Sequence, residues 1–365
     1  RDLHSFPTRR SSDLGEQVKE FKVDGRSIRM DSKLIGSNIA LYTRFEIIHQ
    51  TLQLFFKNLE DNGLSRLPKS VKAQLSQLVE EDPEVTVYRQ TREVIRNRMQ
   101  SLGSLFYRLT LIFKNDTRDH SLLLHRVFQE QYKILEGHKI ELRPKEETRS
   151  DSVQSPHDPD CTYRNKGDQK VKGYSANITE TCSNESLNLV TNVNVQTAST
   201  NDMGFVQPSI QATEEVTQQT TEKLHADGGY QSLDNDDFCK NIDMIFTGLS
   251  GAESRYELEM TDNNELLVTD THTGEIHIAK MAKKTQKSTR DRWYIKTEKG
   301  HYYFDRKALR TSELRGKMRE RTIEELQKRN NVEATVFQLV YHLRNKKTKY
   351  RGLFKTQMWA VCRCF

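Results

Sequence analysis

Leu41, Phe45, Ile48, Leu52, Phe55 and Leu59 recur at steps of three and four, which puts them on one face of a helix that Asn62-Gly63 stops. Ile95, Met99, Leu102, Phe106, Leu109 and Phe113 repeat the pattern, and Leu124, Val127, Phe128 and Leu135 predict a third helix. Such stripes are helix–helix core and imply no chemistry. Elsewhere the period falls to two. Residues 21–30 predict two short strands around an Asp24-Gly25 turn, the second carrying Ile28 and Met30 on one face and running into Asp31. Residues 144–184 are polar and predict a loop, broken by a strand with Tyr174, Ala176 and Ile178 on one side. Leu187, Leu189, Val193 and Val195 alternate as in a half-buried strand. A Gln/Thr-rich helix over 205–223 feeds a short strand that ends at Asp227, and 242–249 predicts another strand. Short alternating runs over 256–303, separated by Asn263-Asn264, Thr273-Gly274 and Lys299-Gly300, predict a small all-β insertion. A final helical region starts near Thr311 and includes 323–340.

Composition narrows the class. The chain has 365 residues, 35% apolar and 30% charged, lean for a compact globule yet too apolar for wholesale disorder. No apolar run approaches the ~20 residues a membrane span needs. The five cysteines are odd in number and mostly far apart, which points to a reducing compartment rather than a disulfide framework. Residues 1–14 (RDLHSFPTRRSSDL) show neither helical nor strand periodicity and no secretory apolar stretch; they resemble a translated synthetic adapter, so the natural amino terminus is expected to be missing.

Three acids stand apart from the general charge. Asp31 ends a predicted strand, followed by Ser32-Lys33-Leu34-Ile35-Gly36. Asp227 ends another, inside Ala226-Asp227-Gly228-Gly229-Tyr230, where glycines permit close approach. Glu333 lies on a helix beside the apolar Val332, Val336, Leu339 and Val340. Taken singly, a strand-end aspartate is ordinarily a turn or cap residue, and a helical glutamate is usually solvated. Together, carboxylates at adjacent strand ends can hold two divalent ions, which neutralise phosphate oxygens and activate water or a hydroxyl. Mg²⁺ needs no His or Cys for this.

In order and context these segments, with Gly173-Tyr174 and Arg329-Asn330-Asn331-Val332-Glu333, resemble the DDE transposases of bacterial insertion sequences, over about residues 16–365. The resemblance implies an α/β fold: a ribonuclease-H-like mixed-sheet core with a helical insertion after the first core strand and a β-rich insertion before the last catalytic helix. It implies a core hairpin and strand over 15–40, a helical insertion over 41–143, core strands over 144–250, a β-rich insertion over 251–310 and the glutamate helix with a basic segment over 311–365. Asp31, Asp227 and Glu333 would be the catalytic, metal-binding triad for two Mg²⁺ ions, with Mn²⁺ as substitute. Arg329 would match an arginine set against DNA phosphate. Two positions depart from the family pattern: Leu326 replaces a tyrosine and Val340 a lysine, for which Arg344 and Lys346 are near enough to substitute. Asp24, in Val23-Asp24-Gly25-Arg26-Ser27-Ile28, is a rival for the first acid of the triad.

Charge supports a polyanionic partner independently. The net charge is +6, and residues 334–365 hold no acid against seven bases, among them Arg344, Lys346, Lys347, Lys349 and Arg351. Residues 281–321 hold fourteen Lys/Arg against five Asp/Glu, interleaved with Trp293, Tyr294, Tyr302, Tyr303 and Phe304. Those aromatics are either base-stacking groups or the buried side of a solvated strand. His157-Asp158-Pro159-Asp160 is more ordinarily a turn than a metal loop, and Cys362-Arg363-Cys364 lacks a partner pair at zinc spacing. No phosphate-cradling Gly-Lys loop or Ser/Cys nucleophile motif is present. The expected function is metal-dependent DNA cleavage and strand transfer at element ends, by a homo-oligomer assembled on DNA in the bacterial cytoplasm. The alternatives are a DNA-binding remnant without catalysis, or a related nuclease that nicks without joining.

Overall fold

The strand that carries the first candidate acid extends beyond its predicted end. In the computed structural model, which describes residues 8–364 except 41, 168, 250–253, 284–290 and 299, β1 runs Ser27–Gly36 and Asp31 sits at its middle. The expected hairpin before it is not formed. Asp24 instead accepts the Arg26 backbone N–H at 3.1 Å and pairs with its guanidinium. Gly25 lies where a Cβ would stand 2.6 Å from Thr217 Oγ1, so this glycine serves close packing rather than a turn. Helix α1 (Thr8–Glu20) starts inside the segment read as lacking periodicity, a correction to that reading; residues 1–7 lie outside the described residues.

After β1 the chain makes a helical excursion. Helix α2 (Arg44–Lys57) opens on a capping box in which Thr43 and Glu46 satisfy each other's backbone N–H. Helices α3 (Asp61–Ser65), α4 (Lys69–Glu80), α5 (Pro83–Val87), α6 (Arg92–Ile112) and α7 (Asp119–Gln131) follow, closed by a small hairpin, β2 (Tyr132–Ile134) and β3 (Ile140–Leu142). Leu52, Phe55, Phe106, Leu109, Phe113 and Leu124 of the three predicted stripes are buried together. Val71 and Leu75 of α4 join them, at helical spacing that the sequence reading passed over. Leu135 lies beyond α7, and Leu41 outside the described residues.

The polar stretch read as a loop contains a long hairpin, β4 (Thr162–Lys166) and the thirteen-residue β5 (Gln169–Thr181). Next come β6 (Val190–Thr197), α8 (Val206–Thr217), β7 (Lys223–Asp227), α9 (Leu233–Phe238) and β8 (Asp243–Thr247). Leu187 and Leu189 fall before β6. One sheet runs β4-β5-β1-β7-β8, with β6 beside β4 on the outer edge of β5. Strand β5 is antiparallel to β1, β4 and β6, whereas β7 is parallel to β1 and β8 to β7. The β1–β7 register pairs Arg29 with His225; carried two residues on, it levels Asp31 with Asp227. Gly173 is required where β5 meets β1, because a Cβ there would stand 2.0 Å from the Ile35 carbonyl oxygen.

A second excursion forms a five-stranded antiparallel sheet: β9 (Tyr256–Met260), β10 (Leu266–Asp270), β11 (Ile276–Met281), β12 (Arg292–Thr297) and β13 (Gly300–Asp305). Helix α10 (Arg306–Arg319) begins earlier than Thr311, capped by Asp305. Helices α11 (Ile323–Gln327), α12 (Asn330–Val340) and α13 (Leu353–Cys364) complete the chain. The molecule is mixed α/β, with helices on both faces of the main sheet. Ile28, Met30, Leu224 and Phe246 pack on one face with Val206, Ile210 and Leu314. Ile35, Ala176, Ile178 and Val195 pack on the other with Val332, Val336, Leu339 and Ala360.

Two polar devices fasten the last helix. The Gln357 amide accepts from the Val195 backbone N–H and donates to the Val193 carbonyl, each at 2.6 Å. Asp158 accepts from Ser37, from Tyr174 Oη at 2.5 Å and from the Gly352 N–H at 3.0 Å. His157-Asp158-Pro159-Asp160 is therefore a structural turn. Among the described residues no disulfide joins any of the five cysteines. Among the described residues no helix is long and apolar enough to cross a membrane.

Candidate functional site

Asp31 projects from the sheet face that α12 covers, because its β5 partner Ile178 packs against that helix. Asp227 closes β7, and its carboxylate accepts the Gly229 N–H. Behind it Gly228 passes so near β8 that a Cβ would stand 2.7 Å from the Gly248 carbonyl oxygen. Glu333 sits in the first turn of α12. The three come from segments far apart in the chain, yet one side chain reaches them all. Arg329, at the N-terminal cap of α12, places Nη2 3.4 Å from Asp31 and 3.9 Å from Asp227, and Nη1 2.8 Å from Glu333. Nη1 also lies 3.4 Å from Thr247 Oγ1 at the end of β8, and buried Nε has no hydrogen-bond partner among the described residues.

Asp31, Asp227, Glu333 and Arg329 line a cleft of about 640 Å³ with Lys33 and Lys166 at its sides. It opens at the carboxyl ends of the parallel strands, where open α/β sheets ordinarily bind ligands. Exposure grades across it: the side chains of Asp31, Asp227 and Glu333 are 16%, 37% and 52% exposed. Burial pushes Asp31 above the usual carboxylate range. Arg329 and the Ser32 N–H oppose this, and the charges of Asp227 and Glu333 add to it. Among the described residues no group of three or more His, Cys, Asp or Glu side chains is arranged to hold a metal ion as it stands. The Arg329 guanidinium occupies the space between the carboxylates. The donor set still fits hard divalent cations, for it is all oxygen and exceeds the guanidinium by two negative charges.

Asp24, the rival for the first acid, is tied to Arg26 before β1, and the three carboxylates around Arg329 do not include it. The predicted basic segment is the loop between α12 and α13. It pairs with the far end of β1 through Lys347 beside Gly36 and the Thr348 N–H on the Gly36 carbonyl. Lys347 Nζ and Arg351 Nε donate to the Ile39 and Asn38 carbonyls, while Arg344, Lys346 and Lys349 are exposed.

Sequence reasoning missed a buried acid beside this site. Asp202 accepts from Ser32 Oγ at 2.9 Å and is gripped by Arg164 at 3.0 Å and Lys166 at 3.3 Å. Burial works against its charge, but the Arg164 hydrogen bonds and the Lys166 charge outweigh it and hold its pKa below the usual value. The only signal was alternation in the stretch read as a loop, which places Arg164 and Lys166 on the same side of β4. No protein-family model matches this chain, and neither does any curated protein or any solved structure.

Proposed function

We propose that the chain is a DDE-type DNA transposase with a ribonuclease-H-like core, cutting DNA at mobile-element ends and joining the freed 3′ hydroxyl to target DNA. One observation carries the reading: carboxylates from three distant segments lie within 2.8–3.9 Å of a single guanidinium in one cleft. The strand order β6-β5-β1-β7-β8, with only β5 antiparallel to β1, supports that core. So does the position of the excursions, helices after β1 and a β-sheet before the glutamate helix. Asp31, Asp227 and Glu333 would hold two Mg²⁺ or Mn²⁺ ions. Bound there, such ions neutralise the phosphate and activate the attacking oxygen. The chain's own groups do the rest. Arg329, Lys33 and Lys166 offer positive charge to phosphate at the cleft, and Arg344, Lys346, Lys347, Lys349 and Arg351 offer it along the far end of β1. DNA would be bound by a homo-oligomer in the bacterial cytoplasm.

The test is cleavage and joining of DNA that carries candidate element ends, in Mg²⁺ and Mn²⁺. Asp31→Asn, Asp227→Asn and Glu333→Gln should each lower cleavage more than about 100-fold, beyond the usual effect of losing a group behind a metal ligand, while DNA retention persists. Full cleavage by any variant removes that residue from the triad. Nicks without joined product indicate the related nuclease. Binding without nicks indicates a DNA-binding remnant, the reading favoured by the guanidinium that fills the carboxylate cluster.

A further inference from the structure

Beyond the carboxylate cleft, the β9–β13 sheet has two unlike faces. Trp293, Tyr302 and Phe304 turn inward onto Tyr256, Leu258 and Ile295. The alternate positions of the same strands form the other face: Ile276, Ile278 and Lys280 on β11, Arg292, Tyr294 and Lys296 on β12, and His301 and Tyr303 on β13, all exposed except Tyr294, which is half-buried. Ile276, Ile278 and Tyr303 are 63%, 60% and 59% exposed, a large apolar surface to leave in water. Register places Lys280, Tyr294 and Tyr303 in one row across the three strands. The Tyr294 ring centroid lies 5.8 Å from Tyr303 and 5.5 Å from His301. Among the described outward positions of β11, β12 and β13 the acid is Asp305, tied to the Ala308 N–H as the cap of α10.

We propose that this outer face is a stacking platform for single-stranded nucleic acid, separate from the carboxylate cleft. The exposed Tyr303 ring and the half-buried Tyr294 ring beside it offer flat surfaces to unpaired bases, which every base can use. Lys280, Arg292 and Lys296 flank them at strand spacing, where they meet phosphates. Charge selects this occupant over a protein surface: the three outward cations of β11 and β12 surround the rings, where the described acid Asp305 is committed to the α10 cap. Glu257 and Glu259 of the same face lie beyond β10 on β9, Glu257 paired with Arg319.

The experiment is fluorescence anisotropy of the full chain with labelled oligothymidine, oligouridine and a DNA duplex, in EDTA so that no cleavage intervenes. Tyr294→Ala and Tyr303→Ala should each weaken single-strand binding about tenfold, leave duplex binding and the melting temperature unchanged, and Tyr303→Phe should restore the affinity. Tyr303→Leu, which keeps apolar bulk, serves if alanine disturbs the sheet. The tighter of the two single strands identifies the ligand as DNA or RNA. Three results overturn the proposal: unchanged single-strand affinity in folded variants, an equal loss on duplex, or loss of self-association instead. A chain that fails to cut but shows the tyrosine dependence refutes the transposase reading alone.

Discussion

Arg329 neutralises part of a charge cluster that would otherwise repel itself. Arg329→Gln leaves Asp31, Asp227 and Glu333 facing one another, so the variant should melt lower than the parent without divalent ions. It should also gain more from Mg²⁺ or Mn²⁺ in a thermal-shift titration; equal gains would mean that guanidinium and ion do not compete. Asp31 gives a test through pH. Its folded pKa is raised by burial, so the fold favours the protonated acid. The stability this confers is complete below the unfolded pKa and disappears as pH rises through the folded one. Asp31→Asn, always neutral, should therefore melt no lower than the parent at neutral pH, yet lose its thermal shift with divalent ions. A clearly lower melting temperature contradicts that account. That three such distant acids share a cleft was legible only through the order of motifs and the resemblance it supports. Asp202 with Arg164 and Lys166 was illegible, because their meeting depends on where β4 lies against the rest of the fold, which local spacing does not encode.

At the scale of elements, a buried ion pair fixes the glutamate helix to the sheet. Arg29 Nε lies 2.5 Å from Glu180, both side chains under a tenth exposed, and Arg29 also donates to the Lys328 carbonyl while Thr335 donates to Glu180. Glu180→Ala strands a buried guanidinium and should cost about 3–5 kcal/mol, with Glu180→Gln losing less because its amide oxygen still accepts from Arg29 while its NH2 can donate to the Thr335 hydroxyl. Denaturant unfolding measures this, and a loss near zero would mean that Arg29 reaches solvent. Helices were the most legible elements, since stripes such as Phe106, Leu109 and Phe113 report one buried face whatever they pack against. The strands were less so. The Asp24-Gly25 pair has turn chemistry, but Thr217 settles its conformation from almost two hundred residues away. Strand β5 is longer than its apolar alternation predicts because its first residues are polar and exposed.

For the whole molecule, the broad α/β plan with a helical and a β-rich excursion was readable from changes of hydrophobic period along the chain. How the pieces close was not. The closing contacts run through polar side chains such as Asp158 and Gln357, and no periodicity marks them. Gln357 makes the donor and acceptor contacts that a neighbouring strand would make to β6. Strands with open margins recruit copies of themselves, and proteins guard them in varied ways. Here one carboxamide does the guarding. Gln357→Ala should loosen α13, costing about 1–3 kcal/mol, and make concentrated solutions turn cloudy sooner on warming, by light scattering, and Gln357→Asn, too short to span both groups, should behave like alanine. By this argument, what keeps the outer edge of β6 from pairing with another copy is a helix that stays seated.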